Sequence, residues 1–222
     1  MVSRHNLGNV GTTREIKSRD ISIAMSYPPK LLDLFSGTHS VGKIAREMGY
    51  EVVSLDLAGA DINQDVLTWD YTVYPRNYFD TVWASPPCNT FSMVKRTNIG
   101  RNGYTHESIE RDISEQGVPI LRRAEEIIDY FRPRRWFIEN PDSGRMKDYI
   151  SPTRVTHFVV DYCKYSDWGY RKRTRIWSNK LDFIPRQCNK DCALWVCGGK
   201  QAHITSHRRE QGKVRRGARR WQ

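Results

Sequence analysis

Cys88 stands in the stretch Ala84-Ser85-Pro86-Pro87-Cys88-Asn89-Thr90-Phe91-Ser92, directly behind the apolar run Phe79 to Ala84. A thiol at the end of a strand is a candidate nucleophile, because even a small thiolate fraction is strongly nucleophilic. Two prolines with fixed φ cannot continue a strand ladder. They stop the strand and leave Cys88 at its C-terminal edge, where open α/β sheets bind ligands. The competing reading is a small apolar cysteine in an ordinary strand-to-loop turn. A second chemical group has the same placement: the apolar Trp136-Phe137-Ile138 runs into Glu139-Asn140-Pro141. Adjacent parallel strands bring two such ends to one rim of a sheet, within reach of a single small ring. The alternative for Glu139 is an ion pair with a nearby arginine.

Two further patterns accompany this pair. The short apolar run Leu31-Leu32-Asp33-Leu34-Phe35 enters Ser36-Gly37-Thr38-His39-Ser40-Val41-Gly42, and Lys43 to Met48 reads as a helix. Such a strand, glycine turn and helix lets backbone approach a ligand closely and offers it free N–H groups. A second strand, Glu51 to Leu55, ends in Asp56, about 20 residues on, where Rossmann-like folds place the carboxylate that binds ribose hydroxyls. A nucleoside-containing cofactor is implied; the bland role for Asp56 is to cap the next turn. In the loop Gly59 to Ile62, Asp61 is placed to accept a hydrogen bond from an exocyclic amine of that cofactor. Tyr170 to Trp177 reads as a strand with Arg173 and Arg175 on one face, preceded by a strand over Val155 to Tyr162.

These groups need a framework. The chain has 222 residues with 38% hydrophobic content, enough for one globular core and too short for a comfortable second domain. Lys and Arg number 36 against 25 Asp and Glu, and the net charge of +11 suits a polyanionic partner, nucleic acid rather than membrane. Neither an apolar run of about 20 residues nor the apolar core of a secretory signal is visible, so an intracellular protein is expected. Five cysteines without an export signal point to reduced thiols. Residues 1–30 read as a polar arm, Met93 to Thr105 as a basic loop able to close over a base, and His106 to Arg132 as two helices interrupted near Gly117-Val118-Pro119. In the tail, Cys188, Cys192, Cys197 and His203 could gather a zinc ion, but their loose spacing favours a turn-rich cap, and no metal is assigned. The basic run Arg208 to Trp221 is suited to tracking phosphates.

Taken in order, the segments from Leu31 to about Asn179 resemble the DNA cytosine-5 methyltransferases. Asp33-Leu34-Phe35-Ser36-Gly37 followed by Gly42 is similar to that family's S-adenosylmethionine loop, Asp56 to its ribose acid, and Asp61-Ile62 to its adenine contact. Pro87-Cys88 with Phe91-Ser92 is similar to its Pro-Cys-Gln-x-Phe-Ser motif, Glu139-Asn140 to its Glu-Asn-Val motif, and Arg173-x-Arg175 to its Gln-x-Arg-x-Arg motif. Asn89 replaces Gln, Pro141 replaces Val and Arg171 replaces Gln. Only about 45 residues follow the arginines, where the family usually inserts a long target-recognition region, and its C-terminal Gly-Asn motif has no clear match.

The resemblance implies a Rossmann-like, class I α/β domain over residues 31–185, with a mostly parallel sheet flanked by helices and a reduced or missing target-recognition domain, followed by a basic Cys/His-containing cap over 186–222. It implies S-adenosylmethionine as cofactor, held by Asp33, Phe35, Ser36, Gly37, Thr38, Gly42, Asp56, Asp61, Ile62 and Pro86. DNA is the implied substrate. Cys88 adds to C6 of cytosine while Glu139 holds a proton on N3, and Arg173 and Arg175 steady the base. A duplex cytosine must be flipped out first. Small stand-alone members occur among viruses and phages, so a monomeric viral or phage protein acting in a host cell is the expectation. The alternative is a catalytically lapsed nucleic-acid binder of the same fold, against which the intact Cys88 and Glu139 argue.

Overall fold

The computed structural model describes residues 27–101, 103–166 and 171–192, and the backbone of two short strands beyond them. Nearly all of the expected N-terminal arm, and the basic run from Arg208, lie outside the described residues.

Leucine-rich β1 (Lys30–Leu34) leads through a turn into α1 (Ser40–Glu47), and the chain returns in β2 (Glu51–Asp56) and β3 (Ile62–Asn63). Part of the expected Gly59–Ile62 loop is thus strand: Ser54 and Asp61 bond to each other through backbone and side chain, folding Ile62 back beside Leu55. After β4 (Thr81–Ala84) come α2 (Met93–Arg96), α3 (His106–Asp112) and α4 (Val118–Phe131). The last strands of the main sheet are β5 (Arg135–Pro141), β6 (His157–Asp161) and β7 (Arg173–Ser178), and β8 (Trp195–Val196) pairs with β9 (Ala202–His203) apart from it.

The main sheet has the order β3-β2-β1-β4-β5-β7-β6, with β7 antiparallel to both neighbours and every other pairing parallel. This is the expected mostly parallel, Rossmann-like α/β architecture. From β1 the chain crosses to β2 on one side, and from β4 to β5 on the other. Right-handed crossovers therefore put α1 and α4 on opposite faces, and the sheet order reverses between β1 and β4.

Strand alternation divides the side chains accordingly. Leu32, Leu34, Val82, Ala84 and Ile138 bury against Leu121, Ala124, Ile127, Ile128 and Phe131 of α4 in one apolar core. Each fully buried aliphatic chain contributes ~1.5–3 kcal/mol of burial free energy. The other face carries Trp83, Phe137, Phe158 and Ile176 toward Ile44 of α1 and Met48 just past its end, around an open cavity of about 780 Å³. On that same face Asp33 and Glu139 occupy positions in phase with Trp83 and Phe137.

Two expectations change in detail. The Gly117-Val118-Pro119 signal does not break the helical path: Ile113–Gly117 forms one wide turn with helical dihedrals, and Pro119 falls in the first turn of α4, where its missing N–H costs nothing. The loop after Met93 begins as a short helix whose Lys95 pairs with Asp112 and whose Arg96 faces Glu110. Among the described residues, no helix is long and apolar enough to cross a membrane.

Candidate active site

Where the sheet order reverses, two cavities open side by side at the C-terminal ends of β1, β4 and β5. The first, about 310 Å³, is lined by Asp33, Phe35, Ser36, Gly37, Thr38, Ser85, Glu139, Tyr162 and Lys172. The second, about 270 Å³, is lined by Phe35, Leu55, Asp56, Leu57, Val66, Pro87 and Ile120. Phe35 and Ser85 belong to both.

The turn after β1 shapes the boundary. Phe35 adopts φ 61°, a sparsely populated conformation for an aromatic residue. It is held there by its N–H donating to the Leu55 carbonyl at 2.8 Å. Asp56 fixes the rest: one carboxylate oxygen accepts the Gly37 N–H at 2.8 Å and the other the Leu57 N–H at 2.7 Å. Asp56 thus caps its own turn, as its simpler reading has it, and also staples the glycine loop. The Ser36 hydroxyl is buried with no hydrogen-bond partner among the described residues, which leaves a donor and acceptor at the wall of the first cavity.

Asp33 is 2% exposed. Burial pushes its carboxyl up to about 6, against the Gly42 N–H that donates to it at 3.1 Å and favours the charged form. A Cβ on Gly42 would sit 3.2 Å from that carboxylate and 3.2 Å from Val52, so glycine there lets α1 lie close to β1 and β2. Glu139 is 8% exposed; its Oε1 has no hydrogen bond among the described residues and lies 3.5 Å from Lys172 Nζ.

Beyond β4, Ser85-Pro86-Pro87 ends the ladder as the two prolines require, and Cys88 is exposed. The turn is tied to β5 by Asn140, whose side-chain amide donates to the Pro86 carbonyl at 2.9 Å. The Cys88 segment and the Glu139 strand are therefore joined by a direct hydrogen bond.

The structure gathers Asp33, Phe35, Ser36, Gly37, Thr38, Asp56 and Glu139 around these cavities, with Pro87 where Pro86 was expected. Gly42, Asp61, Ile62 and Pro86 line neither. Hydrogen bonds from Ser54 hold the Asp61 carboxyl below the usual carboxylate range, and Arg46 lies 3.4 Å from it. Arg173 and Arg175 share a face of β7 but also line neither cavity: Arg173 bonds to Gln187 at 2.6 Å and lies 3.5 Å from Asp161, and Arg175 grips Asp142 at 2.8 and 2.9 Å. Lys172 and Tyr162 carry no such signal in the sequence, whereas Asn140 enters there only as the second residue of the Glu139-Asn140 motif.

A cofactor with an apolar ring, ribose hydroxyls and a cationic end fits these donors. Leu57, Val66 and Ile120 would hold the ring, Asp56 the hydroxyls, and Asp33 with Ser36 the charged end. No protein-family model matches the chain. A probable DNA (cytosine-5)-methyltransferase of Frog virus 3 (isolate Goorha) is 56% identical over 162 residues, 72% of this chain and 74% of its own. Among solved structures, the Entamoeba histolytica methyltransferase EhMeth is 12% identical over 81% of this chain and 57% of its own, with a TM-score of 0.49. The 1,6-didemethyltoxoflavin-N1-methyltransferase of Burkholderia thailandensis, solved with S-adenosylhomocysteine, is 12% identical over 68% and 70% of the two chains, with a TM-score of 0.40. With more than half of the aligned residues identical across nearly three quarters of each chain, the protein belongs to the DNA (cytosine-5)-methyltransferase family.

Proposed function

We propose that this protein methylates C5 of cytosine in DNA, using S-adenosylmethionine and a transient covalent bond from Cys88. The observation that carries the reading is the hydrogen bond from Asn140 to Pro86, which ties the turn bearing an exposed thiol to the strand in which the buried Glu139 directly precedes Asn140.

When bound, the cofactor supplies an electrophilic methyl group on a sulfonium centre. Cytosine C5 is too weakly nucleophilic to take it unaided, and the protein's part is to activate the ring. Cys88, as thiolate, adds to C6 and places electron density at C5, while Glu139 shares a proton with N3 and so neutralises charge building on the ring. Once C5 has taken the methyl group, transfer of its proton to water lets the Cys88 sulfur leave C6 as thiolate and restores the aromatic ring. Arg173 and Arg175 engage base and phosphate by exchanging their present partners, Gln187 and Asp142. A base stacked in a duplex must be flipped out at a cost of a few kcal/mol, which the net charge of +11 helps offset through phosphate contacts. The catalytic unit is residues 31–185, acting as a monomer inside a host cell.

The test is incubation with isotopically labelled S-adenosylmethionine and mixed-sequence DNA, followed by nucleoside analysis. Labelled 5-methylcytosine is expected from the wild type, and none from Cys88→Ser, which retains cofactor affinity because the cysteine lines neither cavity. Turnover by Cys88→Ser removes the covalent route. Label appearing only in N-methylated bases removes the C5 assignment.

A further inference from the structure

The proposed reaction uses Cys88 and leaves three other described cysteines unexplained. Cys163 sits in the turn that follows β6, and Cys188 and Cys192 lie beyond β7, yet their sulfur atoms all fall within 4.8 Å of one another. Cys163 and Cys188 are buried and Cys192 is half-buried. Among the described residues, none of the three is in a disulfide. The sequence pattern grouped Cys188 and Cys192 with Cys197 and His203, whose side chains lie outside the described residues; the fold brings in Cys163 instead.

We propose that Cys163, Cys188 and Cys192 bind a zinc ion that fastens the segment after β7 to the end of β6. Zinc–sulfur bonds of ~2.3 Å in tetrahedral geometry put thiolates ~3.8 Å apart, so the present spacing needs only a small contraction. Binding displaces the thiol protons to solvent, and the fourth position goes to a ligand beyond these three.

The surroundings are those of a metal-binding turn. Between Cys188 and Cys192 the chain reverses, with Lys190 at φ 69° and the Asn189 N–H donating to the Asp191 carboxylate at 3.0 Å. This shape points the backbone N–H groups of Lys190 and Cys192 at the Cys188 sulfur, the hydrogen bonds that a thiolate ligand accepts. Behind it, Asp161 is fully buried and accepts the Cys188 N–H at 2.7 Å, while Arg171 donates to both the Asp161 carboxylate and the Cys188 carbonyl. Lys164 and Arg171 bring positive charge to a site that three thiolates and one zinc ion would leave at −1. Tyr162, adjacent to Cys163, lines the first cavity together with Lys172, so the metal would set that wall of the active site without touching substrate.

The full chain, purified without metal-chelating resin under reducing conditions, is assayed for zinc by mass spectrometry. One zinc per chain is expected, surviving competition with a weak chelator. Replacement by cobalt is expected to give a thiolate charge-transfer band and the visible bands of a tetrahedral site. Alkylation of the metal-loaded protein should modify Cys88 and spare Cys163, Cys188 and Cys192, and chelation should expose all three. Cys163→Ser and Cys192→Ser should each weaken zinc binding by at least roughly a hundredfold. The site is refuted by wild type that stays zinc-free and alkylates freely, by full zinc content in either variant, or by a disulfide between any two of the three. The wild-type spectra and alkylation pattern decide the matter even where a variant fails to fold.

Discussion

The side-chain amide of Asn140 donates to the carbonyl of Pro86 at 2.9 Å, a fully buried link between β5 and the turn that carries Cys88. Both partners are shielded from water, so removing the donor leaves a carbonyl unsatisfied at a cost of ~1–3 kcal/mol. The loss should fall on geometry more than on folding, because a displacement of ~1 Å between reacting groups can cost ~10²-fold in rate. Asn140→Ala is therefore expected to lower kcat by about that factor while the affinity for S-adenosylmethionine, measured by calorimetry, stays within about threefold of wild type. Equal losses in both would make Asn140 a part of the cofactor site instead.

Asp56 holds the Gly37 and Leu57 N–H groups through its two carboxylate oxygens at one edge of the second cavity. Asp56→Ala leaves both donors without their partner and removes the acceptor available to ribose hydroxyls. Cofactor affinity is expected to fall by ~1–3 kcal/mol, roughly five- to 160-fold, with little change in DNA affinity. Asp56→Asn keeps one acceptor oxygen and should fall between. Isothermal titration with cofactor, beside fluorescence anisotropy with a DNA duplex, separates the two; a matching loss of DNA affinity would contradict the assignment.

The strand-end groups were legible in the sequence because their signals are local. An apolar run stopped by Gly, Pro, Asp or Glu marks where a parallel strand reaches the rim of its sheet, and Phe35, Asp56, Pro87 and Glu139 all fall there. What stayed hidden depends on long-range pairing. Lys172 meets Glu139 because β7 runs antiparallel beside β5, and Cys163 meets Cys188 because the chain after β7 folds back onto Asp161. No local periodicity encodes either meeting. Gly117-Val118-Pro119 marks the limit of a local signal: the two expected helices form on either side, but the segment between them, Ile113–Gly117, stays helical instead of leaving the helix path.

Asp33 gives the site a pH dependence. Its folded-state value of about 6 lies above the ordinary carboxyl range near 4, so the unfolded chain releases this proton first. The stability it contributes is therefore present below about pH 4 and lost as pH rises through about 6, a swing of ~3 kcal/mol at ~1.4 kcal/mol per unit. Asp33→Asn keeps an acceptor for the Gly42 N–H without that penalty. Its melting temperature, relative to wild type, should rise between pH 4 and pH 7. Binding of a cationic cofactor end requires the ionised form. Wild-type affinity should thus drop up to about tenfold per pH unit below about 6, while the variant binds weakly with a flat profile. A pH-independent difference in melting temperature would show that Asp33 does not titrate in this range.

Gly117 tests how tightly the helical layer is packed beneath the Cys88 loop. Its φ of −68° suits any residue, and in a free helix Gly→Ala stabilises by ~1 kcal/mol. Here the sign should reverse. A Cβ would lie 2.7 Å from the Thr90 hydroxyl and 2.8 Å from the edge of the Phe91 ring. Phe91 has little room to yield: it is 1% exposed, its ring packs on Tyr149, and its carbonyl accepts the Arg145 N–H at 2.9 Å. Overpacking of this kind costs ~1–3 kcal/mol. Because Cys88 lies two residues before Thr90, the strain should also shift the thiol. Gly117→Ala is expected to melt lower than wild type and to lose ~10-fold or more in kcat, whereas Glu115→Ala, exposed in the same turn, changes neither. Cofactor affinity should change less than kcat in Gly117→Ala, since β1, α1 and the Asp56 turn are untouched and only Ile120 of the cofactor wall lies near the substitution. A Gly117→Ala protein as stable and as active as wild type would mean that the loop carrying Cys88 yields freely and is not braced from below.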